Sequence, residues 1–220
     1  MMEAPVPRIT PFDRLTTPES ERPIRTFVDY VLPRWVTPNH VSFLRLGLVP
    51  IVVACSAVGW WGAACAIFIS AMLLDLVDGP LARVRGQVTT LGAALDPVVD
   101  KAAVFIPFWT WWMLVRTEGG IATTLVAAVS VLTCIEVALL AIRLRALVTP
   151  SRATAPVSAN GAGKVKVWFE GFMVGFLLYE PTEELTQGIA LALCTISLGL
   201  AVWSAHLHRS ARRKFSLVRL

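Results

Sequence analysis

Apolar runs long enough to cross a lipid bilayer limit what this chain can become more than any other feature. Six such runs, at approximately 41–61, 62–84, 92–115, 121–144, 164–180 and 186–206, approach or exceed the roughly 18 residues that span a hydrocarbon core of about 30 Å. With 55% hydrophobic and only 16% charged residues, the 220-residue chain has too little polar material to cover a soluble domain. In lipid every backbone N–H and C=O must be satisfied within the segment, so such runs fold as helices. The expected fold is an all-α integral membrane protein with six transmembrane helices. The fifth run is the weakest, being short and interrupted by Glu170. Gly59 and Gly62 mark the first turn, and Gly119–Gly120 the third.

Charge placement orients the bundle. Arg8, Arg14, Arg22, Arg25 and Arg34 precede the first run, and Arg83 and Arg85 follow the second. Arg143, Arg145, Arg152, Lys164 and Lys166 surround the fourth connection, and Arg209, Arg212, Arg213, Lys214 and Arg219 form the tail. The other side carries Arg116 together with Glu118, Glu180, Glu183 and Glu184. By the positive-inside rule both termini are expected to face the cytoplasm of a bacterial-type cell membrane, and an even number of spans agrees, since it puts both ends on one side. The net charge of +5 is then a membrane-surface property, and no aromatic-basic platform points to nucleic acid. The first forty residues are polar and proline-rich, so no cleaved signal is expected. Ile24, Phe27, Val28, Val31 and Leu32 fall near one helical stripe, which predicts an amphipathic interfacial helix over 24–36. The organisation expected is a cytoplasmic N-terminal segment over 1–36, a six-helix catalytic domain over 37–208 and a basic tail over 209–220. Cys55, Cys65, Cys134 and Cys194 lie in apolar runs without CxxC spacing and read as small buried hydrophobes. Trp60, Trp61, Trp109, Trp111 and Trp112 fit an aromatic belt at the outer interface.

Against this background the segment DLVDGPLARVRGQVTTLGAALDPVVDK, residues 75–101, is conspicuous for four aspartates. Asp75 and Asp78 share a helical face at a spacing of three, and Asp96 and Asp100 at a spacing of four, with Gly92 on the same stripe. Two helices can thus bring two carboxylates each to one point near the cytoplasmic boundary. Four carboxylates without counter-charge would repel, and divalent cations remove that conflict. All-oxygen ligands suit Mg²⁺, Mn²⁺ or Ca²⁺ rather than zinc, and a pair of such ions serves phosphoryl chemistry. Gly79, Ala82 and Gly92 keep the helix faces low for a close ligand, and Arg83 adds a phosphate-sized fork. A divalent-cation transporter would also carry membrane acids, but its polar groups should extend through the bilayer, whereas these cluster toward one side.

Read as Asp75-x2-Asp78-Gly79-x2-Ala82-Arg83-x8-Gly92-x3-Asp96-x3-Asp100, the segment resembles the signature of the CDP-alcohol phosphotransferase family at every fixed position. TPNHVSFLRL, from Thr37 to Leu46, is similar to the stretch that opens the first membrane helix in that family, and GKVK, from Gly163 to Lys166, to a later basic element. The resemblance implies transfer of a phosphatidyl group from a CDP-linked lipid, CDP-diacylglycerol, to an alcohol, with release of CMP at the cytoplasmic face. It implies that Asp75, Asp78 and Asp96 hold two divalent cations, Mg²⁺ or Mn²⁺, on the donor pyrophosphate. Asp100 would touch the second ion and act as general base. Gly79, Arg83 and Thr89 would contact the CDP group, with Asn39, His40, Val41 and Ser42 closing that pocket. Members are typically homodimers embedded among membrane lipids, which sets the same expectation here.

The basic residues of the fourth connection bear on the acceptor. Arg143, Arg145, Arg152, Lys164 and Lys166 share the membrane side of the aspartates and could receive a phosphorylated alcohol. The pattern is most similar to phosphatidylglycerophosphate synthases, which implies glycerol-3-phosphate as acceptor. Inositol phosphate, or phosphatidylglycerol as in the cardiolipin synthases of the family, are the alternatives. Ile135, Val167 and Glu170 depart from that subfamily, where arginine, threonine and glutamine are usual, and all three fall in the acceptor half. Glu136 and Glu170 are intramembrane carboxylates, either functional or paired with a basic neighbour such as Arg143 or Lys166.

Overall fold

The computed structural model describes residues 36–85, 90–115, 119–148 and 161–217, with backbone alone at 38, 77–80, 82–85, 90–94, 143, 146–148, 161–164 and 204–217. Among the described residues the chain is all-helical. Its six helices are α1 (Pro38–Ala57), α2 (Trp61–Arg85), α3 (Thr90–Val115), α4 (Gly120–Val148), α5 (Gly161–Tyr179) and α6 (Glu184–Leu217). The expected interfacial helix over 24–36 lies, all but its last residue, outside the described residues.

Local chemistry sets the helix ends. Thr37 caps α1: its Oγ1 accepts from the His40 backbone N–H, and His40 Nδ1 accepts from the Thr37 N–H at 3.3 Å. The reciprocal pair satisfies two amides that the first turn leaves open. Pro38 follows at the first helical position, where its missing N–H costs nothing. At the other end Trp60 N–H reaches Cys55 O at 2.8 Å and Gly59 N–H reaches Ser56 O at 3.0 Å. This Schellman closure places Gly59 at φ 79°, a left-handed conformation that suits glycine. The first helix therefore stops at Ala57, before the end of the apolar run, and Gly62 falls inside α2. At the C-terminus the helix outlasts its apolar run and continues to Leu217.

Among the described residues four helical stretches are long and apolar enough to cross a membrane: Asn39–Ala57, Leu95–Val115, Gly120–Ile142 and Glu184–Trp203. At 1.5 Å per residue the shortest spans about 28 Å. Among the described residues of α2 the apolar stretch is Trp61–Leu76. Lys164, Lys166 and Glu170 fall in the first half of α5. Phe43, Ile69, Val131, Phe172 and Ile196 are exposed on the outer faces, an arrangement stable only against lipid.

Successive helices alternate in direction. α1 packs on α2 and α3, α5 on α6, α2 and α3, and α4 on α6 and α3. One apolar core joins Phe68 of α2, Phe108 of α3, Val129 of α4, Leu177 of α5 and Cys194 of α6. α2 and α5 approach closely where Gly171 and Gly175 of α5 face Met72 and Phe68 of α2. The spacing of four repeats on both partners, so small residues on one helix receive large ones from the other. Trp111 is sealed in the core instead of joining the outer belt, and its Nε1–H donates to Pro181 O at 3.0 Å. A buried indole N–H needs such a partner, and the α5–α6 turn supplies it. The four cysteines are free thiols; Cys65 and Cys194 are buried as expected, whereas Cys134 is exposed on α4.

Candidate active site

The N-terminal half of α1 lies against the C-terminal half of α2 and the N-terminal half of α3. Val41 and Leu81 form a small apolar contact there, flanked by Val36 and Leu74. On the adjoining face Ser42 and Arg45 point inward and are buried. Three residues apart, they sit one above the other on α1. Asp96 and Asp100, four apart on α3, form the matching pair. Ser42 Oγ–H donates to Asp96 Oδ1 at 3.2 Å, and Arg45 Nη2–H to Asp100 Oδ1 at 3.0 Å.

Arg45 does more than close this second rung. Its Nη1 lies 2.5 Å from Asp75 Oδ1 on α2, and its Nε–H donates to the Ala71 carbonyl at 3.2 Å. One guanidinium, 1% exposed, therefore joins three helices and faces carboxylates from both halves of the aspartate motif. The planar fork suits this geometry, because its donors diverge in one plane and can meet two carboxylates and a carbonyl together. The Asp75 and Asp100 side chains remain about a quarter to a third exposed, at 30% and 26%, so their outer sides stay open to a ligand. Asp96 is exposed.

The structure thus brings Asp75, Asp96, Asp100 and Ser42 to one end of the α1–α2–α3 group. His40 serves the α1 cap, Val41 is buried in the apolar contact, and Asn39 is half-buried in the first turn of α1. Asn39 to Ser42 are therefore helical. The side chains of Asp78, Arg83, Arg143 and Lys164 lie outside the described residues, as do the surroundings of Gly79 and the whole of Thr89 and Arg152. Arg145 is exposed near the C-terminal end of α4. The carboxylate donors match a hard divalent cation in kind. Among the described residues no three His, Cys, Asp or Glu side chains close on a single metal-sized point, and the fourth aspartate of the motif is beyond that description.

A second polar cluster lies where α3, α4 and α5 meet. Lys101 Nζ is 2.7 Å from Glu136 Oε2 and 3.4 Å from Glu170 Oε2. Lys166 Nζ pairs with Glu136 Oε1, and stands 3.8 Å from Glu170 Oε1. Glu136 is the bridge between two ammoniums, and the four formal charges cancel. Glu170 is 0% exposed, and its Oε1 makes no hydrogen bond. Both intramembrane glutamates are therefore paired, with Lys166 as one partner. Lys101 is the partner that sequence reasoning missed, as it missed the role of Arg45. A shallow pocket borders the cluster, lined by Pro97, Lys101, Glu136, Leu139 and Leu140.

The chain is similar to known proteins. A CDP-diacylglycerol–glycerol-3-phosphate 3-phosphatidyltransferase of Pectobacterium atrosepticum is 28% identical over 186 residues, covering 80% of this chain and 94% of its own. The Escherichia coli protein of the same name is 30% identical over the same shares. The second such protein of Arabidopsis thaliana is 30% identical over 175 residues, 76% of this chain and 75% of its own. The family model described as CDP-alcohol phosphatidyltransferase matches residues 35–203, which contain the aspartate motif, the Arg45 clamp and the lysine–glutamate cluster, and the chain belongs to that family.

Proposed function

We propose that this membrane transferase moves the phosphatidyl group of CDP-diacylglycerol to glycerol-3-phosphate and releases CMP. The observation that carries the reading is the convergence of Asp75 on α2 with Asp100 on α3 around one guanidinium at the end of the bundle where the aspartate motif lies. That brings the two halves of the motif to one place, as attack on a pyrophosphate requires. The relatives named above supply the acceptor.

The acceptor hydroxyl attacks the phosphorus that carries the diacylglycerol. A new P–O bond forms, the P–O bond to the CMP phosphate breaks, and CMP leaves with the electron pair. Asp100 takes the hydroxyl proton, since a carboxylate within about 3 Å of the nucleophile is the general base such a step needs. Two divalent cations, Mg²⁺ or Mn²⁺, held by Asp75, Asp78, Asp96 and Asp100, would neutralise the charge that develops on the leaving phosphate. Gly79, Arg83 and Thr89 would contact the nucleotide, with the first helical turn of α1, Asn39–Ser42, helping to close that pocket. Arg143, Arg145, Arg152, Lys164 and Lys166 receive the acceptor phosphate, although Lys166 shares its charge with Glu136 and Glu170. All six helices cross or enter the bilayer, both termini are cytoplasmic, and the acyl tails stay in lipid while the nucleotide lies at the cytoplasmic mouth. The functional unit is a homodimer.

The test is CMP release from CDP-diacylglycerol by purified protein in detergent, offered glycerol-3-phosphate, inositol phosphate, phosphatidylglycerol or serine, each with Mg²⁺ or Mn²⁺ and then with a chelator. Turnover with glycerol-3-phosphate that chelation stops is expected. Turnover with another acceptor alone would reassign the substrate, and turnover undiminished by chelation would remove the metals.

A further inference from the structure

Arg45 is difficult to explain as a stabilising residue. α1 already docks through Val41, Val49 and Val52, all buried. Burying a guanidinium to pair it adds little to stability over an apolar side chain of similar size, because desolvating the charge offsets the attraction. Yet Arg45 is 1% exposed and contacts Asp75, Asp100 and the Ala71 carbonyl. What a guanidinium achieves here, and an apolar side chain would not, is to fix two mutually repelling carboxylates from different helices at one separation.

Resting on the reading of Asp75 and Asp100 given above, we propose that Arg45 is a positioning residue for the reaction. Its guanidinium holds the Asp100 carboxylate of α3 against the Asp75 carboxylate of α2, so the general base and a metal-binding aspartate are set in register by a third helix. The matched spacing supports this. Ser42 and Arg45 of α1 meet Asp96 and Asp100 of α3 as two successive rungs, so a slip of α1 by one residue would break both. The first rung orients one aspartate by a hydroxyl, and the second orients the proposed base by a charged fork. Arg45 acts through the carboxylates it holds.

Arg45→Lys separates charge from geometry. The ammonium keeps the positive charge, so the electrostatic field on a divalent cation changes little, but it cannot reach two carboxylates and a carbonyl in one plane. In purified protein in detergent, Mn²⁺ affinity by calorimetric titration is expected to weaken about tenfold, and kcat for CMP release to fall by about the same factor. The KM for CDP-diacylglycerol should stay within about twofold of wild type, because the nucleotide contacts are untouched. Arg45→Gln, a shorter planar head without charge, is the companion variant should the lysine protein fail to fold, and the same loss of kcat at constant donor KM is expected. Wild-type Mn²⁺ affinity and kcat in a folded variant would overturn the proposal, and so would a rise in donor KM alone, which would make Arg45 a nucleotide contact. A lowered unfolding temperature with unchanged Mn²⁺ affinity and kcat would reduce Arg45 to a structural pair and overturn it equally. If wild type releases no CMP while Mn²⁺ binding still weakens in Arg45→Lys, the clamp stands and the assigned reaction fails. If wild type binds no Mn²⁺, both fail together.

Discussion

Lys101 Nζ on α3 lies 2.7 Å from Glu136 Oε2 on α4, one residue beyond the Asp100 carboxylate. Glu136 also accepts from Lys166 of α5, so a single carboxylate ties the helix of the proposed base to two neighbours. Asp100 is thereby held from both sides, by Arg45 toward α1 and α2 and by its sequence neighbour toward α4 and α5. Removing one member of a buried ion network leaves its partners without counter-charge and costs about 3–5 kcal/mol. Glu136→Gln is therefore expected to lower the unfolding temperature in detergent markedly. Adding Lys166→Met should recover part of the loss, since one uncompensated ammonium is then gone. Equal unfolding temperatures for wild type and Glu136→Gln would show that the cluster adds nothing to stability.

Asp100→Asn tests the base. The amide oxygen can still accept from Arg45, so the clamp and the fold should survive, but the side chain no longer takes a proton at neutral pH. CMP release should fall by at least about a hundredfold, the lower range for loss of general base catalysis. A folded variant that turns over at the wild-type rate would assign proton removal to another group.

Gly171 tests how tightly α5 sits on α2. A Cβ at this position would meet Met72 Cε at 2.6 Å. The contact is with the end of a flexible side chain, so Gly171→Ala should be accommodated with less than about 1 kcal/mol lost. Gly171→Leu adds volume that Met72 cannot yield, and a loss of about 1–3 kcal/mol is expected from overpacking. Because Glu170 precedes this glycine, the larger substitution should also disturb the lysine–glutamate cluster and lower kcat. Thermal unfolding and CMP release on the same preparations would show whether the two effects travel together.

Trp111 and Trp60 offer a contrast within one residue type. Trp111 is fully buried and donates to Pro181 O, whereas Trp60 is 68% exposed. Trp111→Phe removes the donor and part of the packing, and should destabilise by about 1–3 kcal/mol. Trp60→Phe should leave the unfolding temperature within the error of measurement. A reversal of that order would place the structural tryptophan at the membrane boundary.

Much of the architecture was legible in the sequence because helix formation and bilayer crossing are local properties. Apolar runs located all six helices to within a few residues, apart from the far end of α6, and the misjudged end of the first helix followed from a Schellman turn that hydropathy does not register. The spacing of Asp96 and Asp100 likewise put both on one face of α3, where Ser42 and Arg45 meet them, since residues four apart share a helix face wherever that helix packs. Sequence also narrowed the partners of Glu136 and Glu170 to nearby cations, and Lys166 was among them.

Tertiary packing alone decided which cation meets which anion. Arg45 belongs to an apolar run and is separated from Asp100 by 55 residues, and Lys101 from Glu136 by 35, so no local period connects them. Nor could sequence foresee that Trp111 would turn into the core or that Gly171 would receive Met72, because both depend on which faces of different helices meet. Helical periodicity, fixed by backbone geometry, determined from sequence what each helix presents. The pairing of those faces is long-range, settled by shape and charge together, and only the folded bundle revealed that α1 inserts an arginine between the two halves of the aspartate motif.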